Sequence, residues 1–392
     1  MSSWVKCYNK ALGNNGVIVR VNLFDPIVDE EKLHPYFKEV QTKPEYGKTH
    51  DIINEWGDGL LERQGEATKF VNEFQMTFNS SYWELYLNKA FKLLGFDIDY
   101  TKASPDFNLV NKNNYRISVE AVTSNPSLSP ELIVGASSIN EGKFLDESTL
   151  KLSGKIRDKH QLYLGDGKKK HPYSSLEHVK GNPFIIAFAP FDRQLSQSQN
   201  NTAINRVLYG LEPPRSYHEP QTAIKSLINK NGVDIDLGIF TNDSYKEISA
   251  VIFSTTGTFG KAVALAGTAS FVKTTRLRKM GIVEFLAKEK KGKIGKYINK
   301  VSDTYDIFSE RIHSGNDICG HDMHLCDASD HKETHLDGLQ IYHNPYAIHP
   351  LSVNDFDADE IVHYFYDIQN QAMLIRYNDN ALVSRNTVTT IA

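Results

Sequence analysis

Cysteine is scarce in this chain of 392 residues: Cys7, Cys319 and Cys326 are all it has. Three thiols cannot staple a fold of this size, so the core must come from apolar burial, and the expected compartment is a reducing one, the cytoplasm. Long apolar runs are missing too. Stretches such as Phe184–Ala189 fall far short of the roughly 20 residues that a membrane-spanning helix needs, so no membrane partner is expected. The opening Met1-Ser-Ser-Trp-Val-Lys-Cys lacks the basic start and apolar run of a secretory leader. No sign of charge dominates: 44 Lys and Arg stand against 48 Asp and Glu, a net charge of −4, which excludes a polybasic coating protein. There is no internal repeat, no low-complexity tract and no G-x-x-x-x-G-K-[ST] phosphate loop, so an ATP-driven motor is disfavoured.

What is present is globular. Hydrophobic residues make up 40% and charged residues 23%, which places the chain among packed domains, and the length predicts two or three of them. Residues 1–60, broken by Pro26, Pro35 and Pro44, read as an irregular N-terminal arm. Between 61 and 94 the period turns helical: Phe70, Val71, Phe74 and Met76 form one stripe, and Trp83, Tyr86, Leu87, Ala90, Phe91 and Leu94 another. Ser80 or Ser81 is the expected cap of the second helix and Gly95 its stop. Strand patterns follow at 96–100, 106–111 and 115–122, then a helix over 149–164 and a strand at Phe184–Ala189. Further strands are expected at 237–241, 248–254, 262–266, 338–342 and 361–366, with a basic helix over 281–300. The order predicts a mixed α/β (α+β) fold: a core over 61–270 whose central sheet is flanked by helices, and an accessory region over 271–392.

The stretch richest in chemistry is Ser104-Pro-Asp-Phe-Asn-Leu-Val-Asn-Lys-Asn-Asn-Tyr-Arg-Ile-Ser-Val-Glu-Ala-Val122. Lys112-Asn113-Asn114 suits a three-residue hairpin loop, because Asn tolerates a left-handed backbone. With Asn113 at its centre, Asp106 falls opposite Glu120, Asn108 opposite Ser118, Phe107 opposite Val119 and Leu109 opposite Ile117. One face then carries the polar set and the other the apolar set, and a slip of one residue would mix them. Two carboxylates directly opposite, with Cβ atoms about 4.5–5.5 Å apart, repel unless a positive group lies between them. A hard divalent cation such as Mg²⁺ does this well; the bland alternative is a solvated hairpin face.

These residues resemble the PD-(D/E)XK nuclease superfamily, which includes many restriction endonucleases. Pro105-Asp106 matches its first motif and Val119-Glu120-Ala121 the acidic part of its second. Glu84, in Tyr82-Trp-Glu-Leu-Tyr86, resembles the helical Glu often found upstream. The match covers about 80–190. One position departs: where the family's Lys is expected, two residues after Glu120, stands Val122. Lys155 and Lys159 lie four apart on one helix face and are the candidate replacements, with Lys155 favoured for its closeness to the Leu152 and Ile156 register. The resemblance implies a restriction-endonuclease-like core and metal-assisted phosphodiester hydrolysis. Asp106, Glu120 and the Ala121 carbonyl would hold Mg²⁺ or Mn²⁺, with Glu84 binding directly or through water, and the Lys would position the attacking water.

Positive charge is concentrated in two places. Residues 151–180 carry eight Lys or Arg against three acids, and 273–300 carry ten against two. Such clusters bind phosphate backbones through counterion release, and Lys168, Lys169, Lys170, Arg276, Arg278 and Lys279 are the expected contacts; solvated faces are the alternative. Seven of the 14 histidines fall between 313 and 349, densest in Cys319-Gly-His-Asp-Met-His-Leu-Cys326, followed by His331 and His335, which would share a helix face. Cys-x₆-Cys fits no established zinc-finger spacing, so structural Zn²⁺ is less favoured than a His-rich polar loop over 313–335, and His313 or His321 as a catalytic base is weaker still. The leading expectation is a Mg²⁺-dependent endonuclease acting on nucleic acid, DNA ahead of RNA, in restriction or phage defence. The alternatives are an inactive nucleic-acid binder on a degenerate nuclease fold, or a subunit of a larger defence complex. A homodimer or a partner protein is compatible with either.

Overall fold

The hairpin forms in the register its sequence predicts. Strand β2 (Phe107–Val110) pairs antiparallel with β3 (Arg116–Ser124), placing Phe107 opposite Val119, Asn108 opposite Ser118 and Leu109 opposite Ile117. Asn114 takes a left-handed φ of 59° at the turn, and Asn111 N–H donates to Tyr115 O at 3.0 Å to close it. The computed structural model describes residues 21–62, 67–124, 133–134, 138–165, 171–191, 200–213, 221–280, 296–314 and 317–388.

Around this hairpin lies a mixed sheet of eight strands. In chain order they are β1 (Asp97–Ile98), β2, β3, β4 (Phe184–Pro190) and β5 (Ala250–Phe253), followed by β10 (Gln340–His343), β11 (Val362–Asp367) and β12 (Ala372–Arg376). That is also their spatial order. β3, β4 and β5 run parallel, and all seven residues of β4 are buried, as expected of a central strand covered on both faces. A second sheet of five strands comprises β6 (Phe271–Met280), β7 (Lys296–Ser302), β8 (Tyr305–Ser314), β9 (Asp317–Asp327) and β13 (Ala381–Val388). Its spatial order is β7-β8-β9-β6-β13.

Seven α-helices occur among the described residues: α1 (Pro35–Gln41), α2 (Gly47–Trp56), α3 (Ala67–Met76), α4 (Phe78–Leu93), α5 (Glu141–Leu164), α6 (Thr202–Tyr209) and α7 (Phe259–Ala266). Alternation along the strands sorts the core into two layers. Val119, Ile185, Ala187 and Ile252 face one side with Trp83 and Tyr86 of α4, Ile53 of α2 and Ala262 of α7. Val122, Phe184, Ile186 and Val251 face the other with Leu152 and Ile156 of α5 and Val207 of α6. Fully burying each large side chain contributes about 1.5–3 kcal/mol, and the two layers hold α4 and α5 on opposite sides of the hairpin.

Several expectations are corrected. Residues 1–20 of the expected arm lie outside those described, and residues 21–60 are not irregular: α1 and α2 bury Phe37, Ile53 and Trp56, and Phe24 packs edge-on against Phe74 at 5.4 Å. Gln75, fully buried, accepts from Ile27 N–H and donates to Leu23 O and Asp25 O, pinning a segment whose prolines suggested irregularity. The helix carrying Glu84 begins at Phe78, ahead of the expected serine cap, but ends as expected, with Gly95 at φ +82°. Residues 262–266 are helical, not extended: alanine favours helix, and Gly267 at φ +65° caps it. Residues 237–241 form a turn. Of the expected basic helix over 281–300, residues 281–295 lie outside those described and Lys296–Ser302 is strand β7. The His-rich stretch is mostly strand β9, its period-2 alternation burying Asp322, His324 and Cys326 on one face. Finally, residues 340–376 supply three strands of the main sheet, so 271–392 is not a separable appendage.

The seam between the two sheets is polar. Glu333, in the segment after β9, is fully buried and meets Lys261 of α7, Arg385 of β13 at 3.0 Å and His331 at 2.8 Å. Burial alone would raise its pKa, but Arg385 and then Lys261 hold it well below the usual carboxylate range. At the outer edge of the main sheet, the Gln221 side chain donates to Met373 O at 3.1 Å and accepts from Met373 N–H at 3.0 Å.

Burial makes several histidines acid-sensitive. It depresses His324 and His335 to about 4 and His343 to about 3; the neighbouring Arg276, Lys89 and His363 respectively add to the effect. The unfolded chain takes up protons near the ordinary histidine value of about 6.5, before the folded one does. Stability present at pH 7 is therefore lost as pH falls from about 6.5 toward 4, by roughly 1–3 kcal/mol per histidine. Urea unfolding midpoints measured across that range should fall steadily; a flat profile would contradict the assignment of these rings as neutral.

Candidate active site

The site is built where β2 begins and β3 passes it. Asp106 immediately precedes β2, and its Oδ2 accepts the Ala121 N–H at 2.8 Å. Even-numbered residues of β3 bond toward β4, since Ser118 N–H donates to Pro183 O, so the peptide groups of Ala121 point the other way, toward Asp106. The Ala121 carbonyl therefore lies on the same edge as that carboxylate. The loop carrying Asp106 is held from outside: His178 Nε2 lies 2.8 Å from Ser104 O, and because a carbonyl only accepts, this ring nitrogen carries the proton.

Glu120 lies on the α5 side of the sheet and is only 4% exposed. Its Oε1 accepts from Lys159 Nζ at 2.6 Å, while its Oε2 is buried with no hydrogen-bond partner. A buried carboxylate is costly to leave half-satisfied, so this oxygen marks a place for a further positive or donating group. Val122, at the position where the resembled family has Lys, is packed among Leu152, Ile156 and Phe184. An ammonium there would sit in hydrocarbon; the charge comes from α5 instead.

Of the two candidate lysines, Lys159 is the one at the site and Lys155 is exposed. The reason is helical phase. Lys159 follows buried Ile156 by three positions and precedes buried Tyr163 by four, so it shares their inward face. Lys155 adjoins Ile156 in sequence, but adjacent residues on a helix diverge by about 100°. Glu84 belongs to a different element from Lys159. It lies half-buried on α4, which packs on the opposite layer and whose Trp83 indole donates to Ala187 O at 3.0 Å.

The cationic expectations divide. Lys168, Lys169 and Lys170 lie outside the described residues. Arg276 points inward, donating to Asn380 O and Lys332 O beside Asp337, so it is a structural residue of the second sheet. Arg278 is taken up by Asp322 at 3.2 Å and Asp379 at 2.9 Å. Lys279 is exposed, its ammonium 5.2 Å from the Tyr377 ring. On α5, Lys155 and Arg157 remain on the surface.

Among the described residues no group of three or more His, Cys, Asp and Glu side chains is arranged to hold a metal ion. The side chain of Cys319 lies outside them. Cys326 is buried, His324 Nδ1 bonds Tyr305 Oη at 2.6 Å and His331 bonds Glu333. His331 and His335 lie on no helix. No helix of the described residues is long and apolar enough to cross a membrane. Comparison with protein-family models, with curated proteins and with solved structures finds no match to this chain.

One neighbour of the carboxylates was not legible in the sequence. Tyr173, in the turn Tyr173–Ser175 between α5 and β4, has its phenol pushed up by burial first, then by the charges of Glu120 and Asp106, and its side chain reaches Glu120. No periodicity singles out a tyrosine in a short turn.

The pairing of Lys159 with Glu120 gives a direct test. Lys159→Ala strands a buried carboxylate and should cost about 3–5 kcal/mol of stability, whereas Lys155→Ala should change it by under about 0.5 kcal/mol. Chemical denaturation of the two variants measures the contrast, and equal effects would place the wrong lysine at the site.

Proposed function

We propose that the chain is a metal-dependent phosphodiester hydrolase acting on nucleic acid, with Asp106, Glu120 and Lys159 as its working side chains. The observation that carries this reading is the buried Glu120 carboxylate, which has Lys159 on one oxygen and no hydrogen bond within 3.5 Å on the other, with Asp106 bonded to the next residue, Ala121, across the hairpin. The donor set fits a hard divalent cation: two carboxylates and the Ala121 carbonyl are all oxygen, and water and substrate complete such a shell. When bound there, Mg²⁺ or Mn²⁺ would supply a water of lowered pKa and charge compensation on the phosphate.

The protein's own groups do the rest. Asp106, oriented by the Ala121 N–H, keeps its carboxylate at the mouth of the hairpin. Glu120 holds Lys159 in place, and the Lys159 ammonium orients an attacking water and offsets negative charge that builds on the phosphate. Strand and helix, rather than loop, fix both groups, which suits in-line geometry. Lys155 and Arg157, exposed on the same helix as Lys159, supply the cationic approach to a phosphate backbone. DNA as substrate, and a role in restriction or phage defence, rest on the resemblance of the Pro105-Asp106 and Val119-Glu120-Ala121 motifs.

The deciding experiment incubates supercoiled plasmid and a short RNA with the protein, with and without Mg²⁺ or Mn²⁺, alongside Asp106→Ala and Glu120→Ala. Metal-dependent cutting, reduced at least 100-fold by either substitution, is the expected result. Salt-sensitive binding without cutting would replace the enzyme by a nucleic-acid binder, and activity appearing only with a second protein would make the chain a subunit.

A further inference from the structure

The hairpin face that carries Glu120 holds two more oxygens with no hydrogen-bond partner among the described residues, Asn108 Oδ1 and Ser118 Oγ. Asn108 is 3% exposed and Ser118 1%, so solvent does not serve them. The register brings the two side chains face to face, since Asn108 lies directly opposite Ser118. Ser118 N–H donates away from the hairpin to Pro183 O, and Asn108 O accepts from Asp99 N–H on the other flank. They are therefore a non-hydrogen-bonded pair, the kind with Cα atoms only about 4.5 Å apart and side chains closest. Even so, the Ser118 hydroxyl does not bond the amide across from it. An unmet buried oxygen is costly, and two on facing positions mark a place for donors that come from outside both side chains.

Both oxygens belong to the supports of the candidate site. Asn108 Nδ2 donates to Pro105 O at 3.3 Å, and because a carbonyl only accepts, the atom left over is the acceptor Oδ1. That bond ties the amide to the residue immediately ahead of Asp106. Ser118 stands two residues from Glu120 on β3, so alternation puts its hydroxyl on the Glu120 side of the sheet. The nearby donors are directed elsewhere: Lys159 to Glu120 Oε1, the Tyr173 side chain to Glu120, and His178 Nε2 to Ser104 O.

Water held by a divalent cation is a donor of the right kind. Its lone pair faces the ion, so toward the protein it offers only protons, and Mg²⁺ sheds such waters reluctantly. We propose that Asn108 Oδ1 and Ser118 Oγ accept hydrogen bonds from the waters of a divalent cation bound at Asp106 and Glu120, which makes both side chains positioning residues for a hydrated ion. The proposal rests on the hydrolase reading above and deepens it: the site takes the cation with part of its water shell intact, and these outer partners set its affinity. It also gives a reason for polar side chains at two strand positions that the fold buries.

The test measures metal binding directly, on the full chain without nucleic acid, through the electron paramagnetic resonance signal of free Mn²⁺, which disappears on binding. Asn108→Leu and Ser118→Ala remove the acceptors with little change of shape, and each should weaken Mn²⁺ binding roughly 10–100-fold. Asn108→Asp, which keeps an acceptor oxygen, should bind Mn²⁺ at least as tightly as the parent chain. Urea midpoints without metal are measured alongside, because a purely structural role shifts those and leaves the Mn²⁺ affinity alone. Should Asn108→Leu fail to fold, Ser118→Ala, which removes a single heavy atom, decides. Parent-like affinity in the folded variants, or Asn108→Asp as weak as Asn108→Leu, overturns the proposal while binding lost in Asp106→Ala and Glu120→Ala keeps the metal site. No Mn²⁺ bound by the parent chain, or binding untouched by Asp106→Ala and Glu120→Ala, takes down the metal site and this proposal together, so the two failures are distinguishable.

Discussion

A single buried carboxylate joins the two halves of this molecule. Glu333 comes from the segment between the sheets, Lys261 from the helix that follows the central parallel strands, and Arg385 from the last strand of the second sheet. Each is almost wholly removed from water, and the charges are tolerated because their remaining hydrogen-bonding capacity is used. Lys261 also donates to Thr334 O and Asp337 O, and Arg385 to Thr256 O. Such a cluster contributes little net energy compared with an apolar replacement of the same shape, but losing one member costs about 3–5 kcal/mol, because the others are left uncompensated. The relative placement of the sheets is thus fixed by chemistry that tolerates few alternatives, where a purely apolar seam could slide.

The candidate site follows the same logic on a smaller scale. Glu120 is committed to a buried position by the alternation of β3, and its compensation arrives from a different element, Lys159 on α5. Between them, the apolar layer of Val122, Ile156 and Phe184 sets how closely the helix approaches the strand. The carboxylate–ammonium distance is therefore a property of core packing, and the site inherits the rigidity of the α5 layer.

How much of this the sequence carried depends on how local the cause was. The β2–β3 register was legible because a two-residue period leaves one choice that separates Asn108 and Ser118 from Leu109 and Ile117. The choice between Lys155 and Lys159 was within reach of the 3.6-residue period, had Ile156 and Tyr163 been taken together as the inward pair. Other features were not local. That α4 would pack on the face away from Glu120 is decided by layering. That Arg276 would turn inward depends on Asn380 and Lys332, about 100 and 56 residues away. The short run at 262–266 was ambiguous by composition, and only its Gly267 cap tips it to helix.

The side chain of Gln221 has a consequence beyond the fold. A terminal strand such as β12 offers its outward amide and carbonyl as a template to any extended polypeptide that drifts past. By occupying both groups of Met373, one glutamine stands in for the ninth strand, and a passing chain must first evict it. Leu374 and Ile375, exposed on that strand, are kept from becoming a seed for fibrous self-assembly by a plug one residue long.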